Sequence, residues 1–148
     1  MVDGDIDSIT LRSILPHRYE MMMIDGVTNI VGDSDGVGHY ISHKKSFWVK
    51  GHFPNNPVVP AYVIIECMAQ TSGAVYLNYH TKLIGKSVYL VGINGALFKK
   101  EVHVGDEIEF KVHKKKRIKN IVVYECFAFV CNEIIAKATL LLGVKDEL

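Results

Sequence analysis

One long apolar segment, from Ala61 to Tyr79, most constrains how this chain can fold. Pro60 precedes it, and a proline suits the first turn of a helix because its missing N–H is not needed there. As a helix, the segment would span about 30 Å and be apolar on nearly every side. Such a helix is either buried in protein or spans a membrane. Because Glu66, Gln70 and other polar residues interrupt it, and no second candidate follows, we predict a buried central helix.

The remainder of the chain predicts strands that wrap this helix. Ile108, Phe110 and Val112 alternate with polar residues, which is the pattern of a half-buried strand. By similar reasoning, strands are predicted at 21–31, 37–42, 88–98, 107–113, 121–130 and 133–144, with turns at 32–36, 105–106, 114–120 and 132–133. One buried helix with an antiparallel sheet is an α+β architecture.

Chain length and the N-terminal segment complete the fold prediction. The 148 residues contain no repeat or linker, so we predict a single domain over residues 1–148. A short amphipathic helix is predicted over residues 6–15, with Asp7 or Ser8 as its cap and Pro16 at its end.

Composition and the chain termini restrict the class of function. A net charge of +1 argues against a globally basic nucleic-acid binder. Cys67, Cys126 and Cys131 each lie in an apolar run and predict buried, reduced thiols, and no His or Cys cluster has metal-ligand spacing. The first residues form neither a signal peptide nor a transit peptide, so the KDEL at residues 145–148 is interpreted as a coincidental match to an ER-retention signal. We therefore expect a cytoplasmic protein that does not span a membrane.

Two features could carry chemistry: the sequence GHFP at residues 51–54, and Glu66 inside the apolar helix. Burial of a carboxylate raises its pKa and favours the protonated form, which can donate a proton. The neutral imidazole of His52 could accept one, so the two residues could form an acid–base pair. Taken separately, a lone glutamate in a helix and a lone histidine after glycine are both more often structural.

Longer motifs around these residues resemble a known family. Residues 51–60, GHFPNNPVVP, followed by ECMAQ at 66–70, resemble the signature of the 3-hydroxyacyl-[acyl-carrier-protein] dehydratases of type II fatty acid synthesis. LPHRY at 15–19 resembles the family's entry motif, and INGALFKK at 93–100 resembles a later strand motif. The fourteen-residue separation of His52 and Glu66 also fits. The resemblance covers nearly the whole chain.

The resemblance implies a hot-dog fold that forms homodimers, often as a trimer of dimers. It implies that each active site joins His52 of one subunit to Glu66 of the other. The substrate would be a (3R)-3-hydroxyacyl thioester on the phosphopantetheine arm of acyl carrier protein, with no metal or other cofactor. His52 would take the C2 proton, protonated Glu66 would give a proton to the departing hydroxyl, and the backbone N–H of Ala61 would stabilise charge on the thioester oxygen.

This chain departs from the family pattern at several positions. Family members usually carry glycine at the position of Ala61 and often at that of Asn55, and Glu20 and Gly26 replace a usual proline and arginine. These departures favour an accessory pathway as a real alternative to primary fatty acid synthesis. Glu66, where isomerising relatives carry aspartate, indicates dehydration without double-bond isomerisation.

Clustered basic residues suggest where a partner could dock. Lys114, Lys115, Lys116 and Arg117 could be the solvated end of a hairpin or a docking site for an acidic carrier protein. Lys99 and Lys100 are further candidates. Aromatic residues do not interleave these charges, which disfavours nucleic acid as the partner.

Two other functions remain open on the sequence alone. A hot-dog thioesterase would hydrolyse the same class of thioester, and would reveal itself by releasing free thiol. A noncatalytic acyl-thioester-binding protein, in which Ala61 prevents turnover, would bind the thioester without reaction.

Overall fold

The computed structural model describes residues 4–144, and within them a single antiparallel sheet surrounds one long helix. The KDEL at residues 145–148 lies outside the described residues. In chain order the elements are α1 (Ser8–Ile14), β1 (Gly26–Val31), β2 (Asp35–Ile41), α2 (Ala61–Tyr79), β3 (Val88–Phe98), β4 (Glu107–Ile118), β5 (Ile121–Val130) and β6 (Glu133–Val144), with short 3-10 turns at Tyr19–Met21 and Thr81–Leu83.

The six strands lie in the order β1-β2-β4-β5-β6-β3, and every neighbouring pair is antiparallel. The sheet curves around α2, whose buried residues run from Val63 to Leu77 with only Glu66 and Ala69 partly exposed between them. Apolar side chains on the inner face of the sheet, such as Phe110, Tyr124 and Leu140, complete the core. This architecture confirms the predicted α+β fold with a buried central helix.

Two glycines in β2 allow α2 to lie directly on the sheet. A Cβ atom at Gly38 would lie 1.9 Å from the Oγ1 atom of Thr71, and one at Gly36 would lie 2.5 Å from a methyl carbon of Val75. Neither separation is possible between real atoms, so any larger residue would push the helix away from the strand. The small residues of β2 therefore set the depth at which α2 packs.

The predicted element boundaries are confirmed for the central helix and three strands, but the strand predicted at 21–31 begins only at Gly26, because a 3-10 turn occupies Tyr19–Met21. The helix over Ala61–Tyr79 and the strands over 88–98, 121–130 and 133–144 match the structure, and the Asp7 side chain caps α1 by accepting from the Thr10 amide at 2.7 Å. The predicted turn at 114–120 is wrong in extent, because β4 continues to Ile118. Its basic residues pair with β5, so the two strands continue as a hairpin past the core. The sequence pattern missed this extension of β4 because apolar and polar residues do not alternate there.

The turn between β5 and β6 also differs from the prediction. It is formed by Cys131 and Asn132, both with positive φ, at 48° and 63°. Cys67 and Cys126 are buried, as predicted, but Cys131 is exposed on this turn. The prediction of three buried thiols is therefore wrong for Cys131, because a two-residue hairpin turn projects out of the sheet.

Strand β3 forms one edge of the sheet, with β6 as its neighbour on the inner side. Large apolar side chains along it are exposed, namely Tyr89, Leu90, Val91, Ile93, Leu97 and Phe98. An apolar, unpaired edge is a surface that proteins normally cover. Within residues 4–144, none of the helices is both long and apolar enough to cross a membrane.

Candidate active site

His52 lies in the long loop that connects β2 to α2, and a buried tryptophan holds this loop. The Nε1 atom of Trp48 donates to the hydroxyl of Tyr40 at 3.1 Å, and the Trp48 carbonyl accepts from the His52 amide at 2.9 Å. Farther along the loop, the amide of Val59 donates to the carbonyl of Val102 at 2.8 Å. The loop is therefore tied to the sheet on both sides of the histidine.

The backbone around His52 determines which of its ring nitrogens carries a proton. The Nδ1 atom lies 2.9 Å from the carbonyl oxygen of Val58. A carbonyl oxygen can only accept, so Nδ1 must be the donor and the neutral ring keeps an available lone pair on Nε2. The ring is half-buried and stacks on Phe53 with its centroid 4.2 Å away. This arrangement suits a general base.

Glu66 lies on α2, one turn after the helix begins, and two side chains approach the same oxygen of its carboxyl group. Gln70 donates to Oε1 at 2.9 Å, and the Nε2 atom of His17 lies 3.3 Å from Oε1. Burial raises the pKa of Glu66, but hydrogen bonding from His17 and Gln70 and the charge of His17 together hold it below its usual value. The expectation of a raised pKa is therefore wrong for this protomer, because burial is accompanied by donors.

An apolar groove with a volume of about 640 Å³ runs beside Glu66. It is formed by residues of α2, of the exposed strand β3 and of two loops. Its lining residues are Met21, Met23, Phe47, Ala61, Tyr62, Ile65, Glu66, Leu90, Ile93, Ala96 and Phe98. Glu66 is the one carboxylate among them. A cavity of this size and chemistry suits an apolar chain with a single polar reaction centre.

Ala61 begins α2 and lies at the junction of two cavities. It lines the apolar groove and also a smaller cavity of about 280 Å³, which includes Lys99 and Lys100. The residue before it, Pro60, is the N-cap and provides no capping side chain. The first backbone N–H groups of a helix carry partial positive charge and favour an anion or a developing negative charge.

The structure brings Glu66 and Ala61 together, but it does not bring His52 to them within one protomer. His52 is absent from the residues that line the apolar groove, and its ring is held by Val58 on the loop before α2. Within one protomer, the predicted base therefore does not line the groove that contains the predicted acid.

The structure separates the predicted docking residues into two groups. Lys99 and Lys100 follow β3 and line the smaller cavity that includes Ala61, and Lys100 also pairs with Glu133. Lys114 donates to Asp33 at 2.6 Å, and Asp33 also contacts His80 at the far end of α2.

The rest of the basic hairpin extends from Lys114 toward solvent. Lys115 lies 3.8 Å from Glu125, and Lys116 and Arg117 are exposed. Since α2 has 19 residues, its two ends are about 27 Å apart, and Lys114 is linked through Asp33 to the end opposite Ala61.

His17 is a site residue that the sequence did not single out. It belongs to the LPHRY segment at 15–19, which the resemblance identified as a family motif without assigning it a role. Gln70 was likewise part of a quoted motif, but its contact with Glu66 was not predicted. Within residues 4–144, the structure contains no cluster of three or more His, Cys, Asp or Glu residues that could hold a metal ion.

Comparison with known proteins assigns the chain to a family. Residues 15–139 match the FabA-like domain family over most of the chain. The chain belongs to the FabA-like family. A relative from Allorhizobium ampelinum is 35% identical over 137 residues, covering 91% of this chain and 87% of its own. Another, from Brucella ovis, is 37% identical over 145 residues and covers 95% and 91%. Both are named 3-hydroxyacyl-[acyl-carrier-protein] dehydratase FabZ, which confirms the resemblance.

The fold of this FabA-like chain also matches solved structures. The dehydratase heterocomplex ApeI:P from Xenorhabdus doucetiae superposes with a TM-score of 0.78 at 17% identity, and 93% of each chain is covered. At this level of identity the likeness concerns the fold alone. It confirms the predicted hot-dog architecture, in which a curved antiparallel sheet wraps one central helix.

Proposed function

We propose that this protein dehydrates a (3R)-3-hydroxyacyl chain, carried as a thioester on acyl carrier protein, to the trans-2-enoyl thioester. The observation that carries the proposal is the groove of about 640 Å³ in which Glu66 is the one carboxylate among apolar residues. The names of the FabA-like relatives support the same reaction. The reaction belongs to fatty acid or related lipid biosynthesis, and the departures at Ala61, Asn55, Glu20 and Gly26 make an accessory pathway an alternative to the primary one.

In the proposed reaction, His52 accepts one proton from the substrate and Glu66 donates another proton to it. The Nε2 atom of His52 removes the proton from C2, and the electrons form the C2–C3 double bond. The C3–O bond breaks, and Glu66 gives its proton to the departing hydroxyl, which leaves as water. The reverse hydration begins with the proton on His52 and an ionised Glu66, so one singly protonated pair serves both directions.

The start of α2 is proposed to stabilise the charge that develops on the thioester oxygen. Ala61 provides a backbone N–H at the positive end of the helix and lies in the same groove as Glu66. Such a fixed donor is most effective where charge increases during the reaction. This role requires the thioester to enter past Ala61, with the acyl chain in the groove.

We propose that the active protein is a homodimer, which can assemble further into a trimer of dimers. Strand β3 exposes an apolar edge that a second copy could cover, and it also lines the groove of Glu66. A partner docked there could supply the His52 that one protomer lacks beside Glu66. Covering the groove would also remove water from Glu66, which opposes ionisation and helps it hold the proton that dehydration requires.

Mixing two inactive variants tests this shared site. His52→Ala and Glu66→Gln each lack one partner, but a mixed dimer contains one site with both residues intact. If half of the dimers are mixed after refolding together, activity should return to about a quarter of the wild-type value. Activity that does not return on mixing, while both variants form dimers, would place His52 and Glu66 of one chain in the same site.

Lys99 and Lys100 are proposed as the first contacts for the acidic carrier protein, because they lie beside the cavity that includes Ala61. Lys114, Lys115, Lys116 and Arg117 remain candidates for docking in the dimer, where the hairpin of one subunit could approach the groove of the other. We propose that the protein acts in the cytoplasm. Charge-reversal at Lys99 and Lys100 should raise KM for carrier-protein substrates without raising it for coenzyme A thioesters.

The reaction itself is tested by adding purified protein to a trans-2-enoyl thioester. Loss of the enoyl ultraviolet absorbance without release of free thiol is expected, with both His52→Ala and Glu66→Gln inactive. Release of free thiol would instead identify a thioesterase. Binding without any reaction, on both a coenzyme A and a carrier-protein substrate, would identify a noncatalytic acyl-thioester-binding protein.

A further inference from the structure

The carboxyl group of Glu66 is held from one side only. Gln70 donates to Oε1 at 2.9 Å, and His17 Nε2 lies 3.3 Å from the same oxygen. These contacts leave Oε2 as the oxygen that neither side chain engages. A proton on Glu66 therefore belongs on Oε2, since a proton on Oε1 would face two donors.

The orientation of Gln70 is fixed by the backbone rather than by Glu66. Its Oε1 atom accepts from the amide of Met23 at 3.0 Å, and its Nε2 atom donates to the carbonyl of Met21 at 2.6 Å. Because an amide N–H can only donate and a carbonyl can only accept, the Gln70 side chain cannot be flipped. Gln70 is only 1% exposed, so this donor is preformed and cannot be replaced by water.

His17 is held in a comparable way by its own neighbour in the chain. Arg18 donates to the carbonyls of Leu15 at 2.9 Å, of His17 at 2.6 Å and of Arg12 at 3.0 Å, which fixes the backbone that carries the imidazole. The Nδ1 atom of His17 is buried and has no hydrogen-bond partner among residues 4–144. An N–H at that atom would be unsatisfied, so the neutral form of the ring carries its proton on Nε2, and in both the neutral and the charged form an Nε2–H faces Glu66.

We propose that His17 is a positioning residue, which acts with Gln70 on Glu66 Oε1 so that Oε2 is the oxygen that exchanges a proton with the substrate. The inference rests on the proposed function, and adds to it a positioning residue, His17, and the oxygen of Glu66 that exchanges the proton. As the C3–O bond breaks, the proton leaves Oε2 with the hydroxyl as water, and the new negative charge is shared with donors already in place at Oε1. In hydration, Oε2 accepts the proton from water.

Few other titratable groups face Glu66. Cys67, next to it on α2, is fully buried, and burial raises the pKa of its thiol so that it stays neutral. Tyr62 is the other titratable residue in the groove, and β3 contributes only the apolar residues Leu90, Ile93, Ala96 and Phe98 there. Asp25 acts on Cys67 electrostatically rather than on Glu66. His17 is therefore the group whose removal should alter the titration of Glu66.

The test compares two substitutions of His17 in the full-length protein. His17→Phe keeps a ring of similar size but removes the donor, whereas His17→Gln places an amide N–H near the position of Nε2. A matched control is His80→Phe, because His80 forms another histidine–carboxylate contact, with Asp33 at 2.9 Å, at the opposite end of α2. Each variant is assayed for dehydration of a 3-hydroxyacyl thioester and, across pH, for hydration of a trans-2-enoyl thioester, and its melting temperature is measured.

We expect His17→Phe to lower kcat for dehydration about 10- to 100-fold, as for loss of one hydrogen bond to a group that becomes charged, with KM changed less than about twofold. Without this donor, fewer hydrogen bonds counteract the effect of burial, so the pKa of Glu66 rises. The acid limb of the hydration profile should then move to higher pH, because hydration needs the ionised carboxylate. His17→Gln should restore kcat to within about threefold and return the acid limb, and His80→Phe should leave both unchanged.

The proposal is overturned if His17→Phe leaves kcat and the acid limb unchanged. It is also overturned if His17→Gln is as impaired as His17→Phe, since a donor at that position would then have no effect. Failure of the proposed function is separately visible, because the wild type itself would then release free thiol or leave the enoyl absorbance unchanged. If Glu66 is catalytic and His17 acts through it, His17→Phe should cause no further loss in a Glu66→Gln background.

Discussion

The Nδ1 atom of His52 lies 2.9 Å from the carbonyl oxygen of Val58, and the amide of Val58 donates to the carbonyl of His52 at 2.8 Å. The two residues thus close a small hydrogen-bonded ring that uses no other side chain. In many sites a carboxylate sets the tautomer of a catalytic histidine. Here a backbone carbonyl does so, and it adds no negative charge beside the imidazole.

This relationship predicts a difference between two substitutions of His52. Asparagine keeps an N–H close to the position of Nδ1 but has no nitrogen that can accept a proton, whereas alanine keeps neither. Both variants should lose activity by about 10²- to 10⁴-fold, the usual contribution of a general base. His52→Ala should also lose about 1 kcal/mol of stability, because the Val58 carbonyl loses its donor. Urea unfolding should show His52→Asn to be the more stable of the two; equal stabilities would mean that the bond to Val58 does not hold the ring.

The position of Ala61 predicts a dependence of activity on side-chain volume. Ala61 lines both the apolar groove and the smaller cavity that includes Lys99 and Lys100. A thioester that extends from one cavity into the other must therefore pass the Ala61 side chain. Ala61→Val should lower kcat/KM by about 5- to 100-fold, if overpacking costs about 1–3 kcal/mol. Ala61→Gly should leave kcat/KM equal or higher, with at most about 1 kcal/mol of helix stability lost. Steady-state kinetics on one thioester substrate check this series, and no effect of valine would exclude this route of entry.

The sequence predicted the parts of the site that depend on local pattern. Apolar length and Pro60 were enough to predict α2 with its observed bounds, and the motifs were enough to select His52 and Glu66. The ionisation of Glu66 was mispredicted because burial was weighed without its donors. One of these, His17, lies 49 positions earlier, and nothing in its local pattern indicates that its ring would face α2.

The basic hairpin is a second case in which local sequence pattern could not predict a contact that depends on the tertiary fold. Its charges suggested a solvated turn or a docking site, yet Lys114 is held by Asp33, which lies 81 positions away. The pairing arises because β2 and β4 are neighbours in the sheet, and this topology cannot be derived from the spacing of charges. The proposed meeting of His52 with Glu66 across two subunits is likewise outside what periodicity can predict, and rests on family resemblance.

The Asp33 cluster predicts how stability depends on pH. Burial raises the pKa of Asp33, but hydrogen bonds and charge from Lys114 and His80 hold it below its usual value. A carboxyl with a lowered folded-state pKa stabilises the protein above its unfolded-state pKa, and this stabilisation is lost as pH falls through the folded-state pKa. Asp33→Asn should therefore be about 1–3 kcal/mol less stable than wild type at pH 7. Its stability should also decline less steeply than that of wild type between about pH 5 and 3.

A matched control for this prediction is Asp35→Asn. Asp35 contacts His113 at 2.8 Å, but its side chain is 43% exposed, against 19% for Asp33. Solvent screens such a pair, so its removal should cost less than about 1 kcal/mol. Urea midpoints measured over the acid range compare the two variants. Equal losses would show that the Asp33 cluster contributes no more than an ordinary surface ion pair.

The contact of Gly38 with α2 predicts the cost of separating the helix from the sheet. A methyl group at Gly38 would meet the Thr71 side chain, with Oγ1 at 1.9 Å and Cγ2 at 2.9 Å. Gly38→Ala should lower the free energy of unfolding by about 1–3 kcal/mol. Thr71→Ala in the same chain should recover part of this loss, because it removes both of those atoms but leaves Cβ, which would also lie at 2.9 Å.

Gly92 provides the control for this last prediction, because its added methyl would meet Leu141 at an ordinary 3.4 Å. Gly92→Ala should therefore be close to neutral or slightly stabilising, by about 0.4–1 kcal/mol. Because Glu66 lies on the same helix as Thr71, displacement of α2 in Gly38→Ala should also reduce kcat, whereas Gly92→Ala should not. A Gly38→Ala variant that unfolds like wild type would mean that α2 can shift on the sheet without cost, and the fixed placement of Glu66 relative to β3 would then need another cause.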